Sequence, residues 1–229
     1  ISDYKLDFGL QYTYKLNKKN TINIGAVYTL GRTLHGDAYK YHQTGAESNG
    51  SIYVQSQTGD TIPNPFKMPH TFGIGLTYVY DNRLTIGVDY TLQKWNTADL
   101  AWSKFNKESV EMNSRTKIAF GAEFVPSYIS HNYLKRIRYR MGAYYSSPYN
   151  KVSYTSPDTG TTSFQDGARE YGVSIGFGLP MFQSKSMLNI SGQYIKVSPK
   201  FKGLMEENYL RINIGLTFNE RWFMKWKVD

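Results

Sequence analysis

The sequence predicts an all-β fold: a transmembrane antiparallel up-and-down β-barrel, of which about nine strands can be read. Three observations predict it. Apolar and polar residues alternate with a period of two, which puts the two kinds of side chain on opposite faces of a strand. Each alternating run covers about ten residues, the length a tilted strand needs to cross a bilayer. Short polar turns and long polar loops follow the runs by turns, the asymmetry of an outer-membrane barrel.

In chain order, Tyr4–Leu16 is the first strand, with Tyr4, Leu6, Phe8, Leu10, Tyr12, Tyr14 and Leu16 on one face. Asn17-Lys18-Lys19-Asn20 is a polar turn, and Ile22, Ile24, Ala26, Tyr28 and Leu30 mark the returning strand. Gly31–Met68 is a long segment rich in Gly, Asn, Thr, Gln and Tyr, with extended arms expected at Ala38–Gln43 and Ser51–Gln57. The hairpin Pro69–Leu92 has the clearest pattern. Phe72, Ile74, Leu76, Tyr78 and Tyr80 alternate with Thr71, Gly73, Gly75, Thr77 and Val79. After Asp81-Asn82-Arg83, Leu84, Ile86, Val88, Tyr90 and Leu92 alternate with Thr85, Gly87, Asp89, Thr91 and Gln93. The second face carries almost no bulky apolar group, so it looks toward water and not toward a second sheet. The apolar face, with Leu76, Tyr78, Ile86, Val88, Phe120, Ile175 and Ile214, is expected to meet lipid.

A polar loop, Asn96–Asn113, precedes the strand Thr116–Phe124. Pro126–Lys135 is a connection, and Tyr139–Tyr145 the next strand. Pro148–Gly167 is a third loop, and Tyr171–Leu179 a strand with Gly172, Gly176 and Gly178 at inner positions. Pro180–Ser186 turns the chain into Leu188–Tyr194, Ser198–Asn208 forms the fourth loop, and Leu210–Phe218 is the last strand. Residues 1–218 are therefore assigned to the barrel wall, its C-terminal portion. Residues 219–229, with Trp222, Phe223 and Trp226 among Arg221, Lys225 and Lys227, are assigned to a periplasmic aromatic and basic tail. Bacterial single-chain barrels have even strand numbers, so an odd count predicts further strands before Ile1.

Composition narrows the function. The chain has 229 residues, a net charge of +9, 20 tyrosines and no cysteine. Its cations are spread over turns, loops and alternate strand positions, which disfavours nucleic acid as a partner. A mean hydropathy of −0.50 does not argue against a membrane, because half of each barrel strand faces a wet lumen. Without cysteine there is no disulfide framework and no thiolate metal site. His35, His42, His70 and His131 lie in loops or at strand ends without the spacing of a metal site. No nucleophile elbow or other enzyme motif occurs, so no catalytic residue, metal or cofactor is assigned. The lumen-facing charged positions are Asp7, Asp89, Arg115, Lys117, Glu123, Arg138, Arg140, Glu170 and Arg211. A ladder of opposite charges that fills and rigidifies the bore is the favoured role for them.

Five stretches carry a family resemblance: Pro69–Trp95, Arg115–Gly121 (RTKIAFG), Arg138–Pro148 (RYRMGAYYSSP), Tyr171–Phe177 and Leu210–Phe218. In order, spacing and loop size they resemble the C-terminal part of the long-chain fatty-acid outer-membrane transporters (the FadL/TodX type). The resemblance implies a roughly fourteen-stranded barrel, of which this chain supplies the last strands. It implies the outer membrane of a Gram-negative bacterium, extracellular long loops and a periplasmic C-terminus. It implies passive uptake of fatty acids or other hydrophobic molecules, with Tyr53, Ile62, Phe66 and Met68 of the longest loop as ligand-binding residues. The alternative is a structural barrel subunit of a larger outer-membrane assembly or secretion complex. Its tyrosine-rich loops and its tail would then be contact surfaces. Expected partners are outer-membrane lipid, hydrophobic ligands and other outer-membrane proteins, but no nucleic acid.

Overall fold

The structure, a computed structural model, describes residues 3–48, 51–97, 111–155, 160–181, 186–199 and 205–218. The strands in chain order begin with β1 (Asp7–Lys15), β2 (Asn20–Thr29), β3 (Arg32–Thr33), β4 (Asp37–Ser48) and β5 (Ser51–Pro63). Next come β6 (Lys67–Met68), β7 (Thr71–Tyr80), β8 (Leu84–Gln93), β9 (Arg115–Phe124) and β10 (Arg138–Ser146). The last are β11 (Lys151–Thr155), β12 (Thr162–Asp166), β13 (Ala168–Pro180), β14 (Met187–Pro199) and β15 (Glu207–Thr217). Nine of them form one antiparallel sheet in sequence order, β1-β2-β7-β8-β9-β10-β13-β14-β15. The short connections β1–β2, β7–β8, β9–β10 and β13–β14 join antiparallel neighbours, since a tight turn can link an antiparallel pair but not a parallel one, and the longer connections continue the same meander. The sheet is open: β1 and β15 are its edges and do not pair with each other.

The tight turn after β7 is built as its residues dictate. Asp81 and Asn82 hold φ of 50° and 52°, and the Arg83 N–H donates to the Tyr80 carbonyl at 2.8 Å. Two successive left-handed residues make a type I′ turn, whose twist matches the flanking strands, and Asp and Asn tolerate that region. Register then keeps like with like across the sheet. Phe8, Tyr28, Phe72 and Leu92 lie in one row on the apolar face, and Gln11, Gly25, Gly75 and Asp89 in one row on the polar face.

Among the described residues no second layer covers either face. The buried apolar side chains among the described residues are Ile62, Val125, Ile137 and Ile195, scattered over the sheet and its ends. The chain exposes 17173 Å², against about 10,600 Å² for a compact monomer of its mass. Leu76, Val88, Phe120, Ile175 and Ile214 of the predicted lipid-facing set are exposed, and Tyr78 and Ile86 are half-exposed.

The loops hold more strand than their composition suggests. β4 and β5 pair over their whole length into one arm, longer than the two short segments expected there, with a bulge between Thr44 and Gly45. Pro148–Gly167, expected to be a loop, contains the hairpin β11–β12. Its strands are five residues each and rich in Ser and Thr, so they show little apolar alternation. β14 runs on past Tyr194 to Pro199, where Lys196 and Ser198 interrupt the apolar pattern without interrupting the ladder. The predicted tail, residues 219–229, and most of the predicted Asn96–Asn113 loop lie outside the described residues.

Candidate functional site

Among the described residues, side chains with long-range partners cluster most densely in three regions: the polar face of β9–β14, the base of the β4–β5 arm, and the cap formed by β11–β12. On the polar face, Glu123 of β9 accepts from two arginines of β10, Arg138 Nη1 at 3.1 Å and Arg140 Nε at 2.6 Å. Register explains the fork, since Glu123 sits directly opposite Arg140 and Arg138 is two residues along on the same face. Arg140 also donates to Asn189 Oδ1 of β14 at 2.7 Å. Further along the same face, Arg115 Nε donates to the buried Ser146 Oγ at 2.7 Å, with Glu170 of β13 4.0 Å from its Nη2. Tyr144 donates to Glu170 at 2.5 Å, and the Lys117 ammonium lies 4.6 Å from the Tyr144 ring centroid. Gly172 makes room for that ring, since a Cβ there would fall 2.0 Å from Tyr144 Cε1.

The predicted lumen-facing charges thus separate into groups. Arg115, Lys117, Glu123, Arg138, Arg140 and Glu170 belong to this one cross-strand array. Asp7 accepts from Thr29 Oγ1 at 2.5 Å and pairs with Lys5 at 3.0 Å, at the far end of the sheet. Asp89 stands over Gly75 on the bare patch of glycine and threonine formed by β1, β2, β7 and β8. Arg211 lies on the edge strand β15, opposite Gln193.

At the loop end, a compact knot ties the arm to the sheet. The Asp3 carboxylate accepts from Arg32 Nε at 3.0 Å, from the His35 backbone N–H at 3.0 Å and from the Tyr4 N–H at 2.8 Å. The Arg32 guanidinium stacks 3.7 Å from the Tyr4 ring centroid. These partners hold the Asp3 carboxyl down at about 2, below its ordinary 3.8, chiefly through the His35 and Tyr4 backbone N–H groups. On the other side of the arm, His70 Nδ1 receives the Gly31 N–H at 3.1 Å and faces the Tyr28 hydroxyl at 2.8 Å. Because a backbone N–H can only donate, Nδ1 is the unprotonated nitrogen and Tyr28 donates to it as well. The arm's distal pairs Tyr39, Tyr41 and Gln43 with Thr61, Gly59 and Gln57 form an exposed tyrosine and amide face. The second cap is held by Lys151 to Glu111 at 2.6 Å and by Asn113 Nδ2 to Asp166 Oδ1 at 2.7 Å.

The four residues expected to bind a hydrophobic ligand do not share one surface. Ile62 is 0% exposed, inside the base of the arm, while Phe66 and Met68 are exposed at its return. The Tyr53 side chain lies outside the described residues. Among the described residues there is no group of three or more His, Asp or Glu that could hold a metal ion. Nothing in the sequence singles out Asp3, Arg32 and Tyr144 or gives His70 its partners. Those partners lie far off in the chain, 32 residues apart for Asp3 and His35 and 39 for Gly31 and His70, and no local signal marks them.

Comparison with known proteins corrects the family. The family model described as BamG matches residues 1–229, and the chain belongs to that family. This overturns the resemblance to the FadL/TodX transporters. The stretches that carried it are alternating strands, which any barrel of similar loop sizes reproduces, so they reported architecture and not descent. No curated protein and no solved structure matches the chain. Membership associates the chain with the outer membrane of Gram-negative bacteria and with a protein assembly complex there.

Proposed function

With membership of the BamG family as premise, we propose that this chain is a structural wall subunit of an outer-membrane assembly complex. Its nine-stranded sheet is part of a transmembrane β-barrel wall, and its loop-end arms hold neighbouring proteins of the complex. The family match over residues 1–229 carries this reading. The form of the sheet supports the membrane part: one face is apolar and uncovered, the other polar and cross-linked, as a lipid-facing wall around a wet lumen requires. In this reading the long loops are extracellular and the short turns periplasmic. The role is mechanical and calls for no bound cofactor.

The β4–β5 arm suits partner contact for a physical reason. A two-stranded ribbon is marginally stable alone, and beyond Ala38 and Ile62 the described side chains on both faces of this one are largely exposed. Tyr39 and Tyr41 offer rigid amphipathic surface at low entropic cost, the kind of side chain that anchors protein interfaces. The knot at Asp3, Arg32 and His70 fixes the arm's angle to the wall. The test replaces residues 42–58 by an Asn-Gly turn, which the facing pair Tyr41 and Gly59 accepts. Native mass spectrometry of detergent-extracted protein should find stoichiometric outer-membrane protein partners on the wild type and loss of at least one on the variant. Extraction of the wild type with lipid and no protein partner would sink the proposal.

A further inference from the structure

The connection between β9 and β10 stands apart from the other short turns. Residues 125–137 close on themselves through the Ser127 N–H to the Lys135 carbonyl at 2.8 Å, around the single helical turn Tyr133–Arg136. Its N-cap is Asn132, whose side chain accepts from the Leu134 N–H at 3.0 Å. Well-formed as it is, the connection turns its aliphatic groups outward: Ile129 is 92% exposed and Leu134 62%. Two hydrogen bonds fix where it lies. Tyr128 donates to the Asn82 carbonyl in the β7–β8 turn, and Tyr139 donates to the Leu134 carbonyl at 3.0 Å. Tyr139 belongs to the apolar face, in T-shaped contact with Phe177. The Leu134 backbone therefore lies at the end of the apolar face, just beyond the strands, with its side chain exposed. Lys135 and Arg136 follow it at once, and the Arg136 guanidinium lies 5.6 Å from the Tyr133 ring centroid.

From this placement we infer that the 127–136 connection is a phospholipid anchor: Ile129 and Leu134 enter the headgroup layer at the short-turn end, and Lys135 and Arg136 bind lipid phosphate. The inference rests on the membrane-wall part of the proposed function. Aliphatic side chains with adjacent cations on a surface continuous with the lipid-facing wall match the apolar-to-anionic gradient of a leaflet, and tyrosine belongs at that depth. Lysine and arginine near an anionic surface are each drawn by about 1 kcal/mol, roughly a fivefold preference.

The chain has no cysteine, so a single one can carry an environment-sensitive fluorophore. Labels at Ile129→Cys, Leu134→Cys and, as reference, Met141→Cys are read on the full-length polypeptide, with any cysteine outside residues 1–229 replaced by Ser, in nanodiscs of phosphatidylcholine with phosphatidylglycerol. Spin-labelled lipids serve as quenchers. Quenching of Met141→Cys by mid-chain spin labels, with quenching of Ile129→Cys and Leu134→Cys by headgroup-level labels, is the expected result. Spin-labelled phosphatidylglycerol should quench Leu134→Cys better than spin-labelled phosphatidylcholine, and each of Lys135→Gln and Arg136→Gln should cut that preference roughly fivefold. If Met141→Cys is not quenched, the membrane-wall reading itself fails. If it is quenched while the other two report water, the anchor is overturned and the wall stands. The anchor is likewise overturned if the loop labels are shielded only in the purified assembly, because the connection then docks protein and not lipid.

Discussion

Removing the Glu123 carboxylate should cost stability through two arginines at once. Glu123 accepts from Arg138 at 3.1 Å and from Arg140 at 2.6 Å, with side chains 26%, 34% and 37% exposed. A hydrogen bond to a charged group contributes about 1.5–3 kcal/mol net. At roughly one-third exposure water screens much of this, so about half is retained. For two bonds, Glu123→Gln is expected to cost about 1.5–3 kcal/mol. The residual hydrogen bonding of the amide favours the lower end. Arg140→Gln should cost more than Arg138→Gln, because Arg140 has the shorter contact and also serves Asn189. The assay is urea unfolding in detergent micelles, followed by Trp fluorescence, with the midpoint shifting and the slope unchanged. A double-mutant cycle of Glu123→Gln and Arg140→Gln isolates the pair, and a coupling of about 0.5–1.5 kcal/mol is expected. Additivity within about 0.3 kcal/mol would refute the account, since contacting charges cannot be energetically independent.

Three further outcomes test other parts of the structure. Met141→Arg, at the middle of the apolar face, should destabilise the bilayer-inserted protein by about 2–4 kcal/mol if that face meets hydrocarbon; a change within about 0.5 kcal/mol, as for an ordinary surface site, would remove the lipid from the picture. Gly172→Ala should cost about 1–3 kcal/mol, because its Cβ displaces the Tyr144 ring from Glu170. Gly192→Ala, with nothing within 4 Å of a new Cβ, should be close to neutral, and equal effects of the two would contradict the packing described. The Asp3 knot has a defined acid limit. Its carboxyl is held at about 2 against an ordinary 3.8, so its contribution is full above pH 3.8 and is lost as pH falls through about 2. Protection of the His35 amide, read as its exchange rate relative to the intrinsic rate at each pH, should follow that window in the wild type and be low at every pH in Asp3→Asn.

The strands of the sheet were legible because a period of two survives any tertiary context that keeps one face apolar. Leu76 and Gly75, or Ile175 and Gly176, announce both the strand and its faces. The turn at Asp81 and Asn82 was equally plain, since those residue types tolerate the left-handed region. Alternation says nothing of what it faces, however, and nothing of descent. That is why the strands pointed to a transporter family to which the chain does not belong. Partners across the sheet were legible by face only: Glu123 and Arg140 were both placed inward, but their pairing depends on a register set by the connection between β9 and β10. The arm base escaped altogether. Asp3 and His35 meet across 32 residues, and Gly31 and His70 across 39, separations that carry no local signal. The hairpin β11–β12 escaped for a different reason, because its hydroxyl-rich strands are stabilised by pairing and by the Lys151 and Asp166 contacts, not by a buried face.

If the sheet is part of a closed transmembrane wall, as proposed, its parity constrains what completes it. Nine strands, each antiparallel to the next, leave β1 and β15 running in the same direction. Both present free N–H and C=O groups along strands exposed throughout their length. In hydrocarbon such groups must be paired, and an open edge is not tolerated. β1 and β15 cannot meet this need by pairing with each other in the antiparallel manner of the rest of the sheet. Nor can the β15 edge of one copy pair antiparallel with the β1 edge of a second copy inserted in the same orientation. A closed antiparallel wall therefore needs an odd number of further strands between the two edges, whichever polypeptide supplies them. The array around Glu123 and Glu170 cross-links β9, β10, β13 and β14, the strands on the β15 side of the sheet, whereas β1 and β2 are joined by the neutral Thr13–Asn23 and the Asp7–Thr29 hydrogen bonds and, with β7, by the packed rings of Phe8, Tyr28 and Phe72.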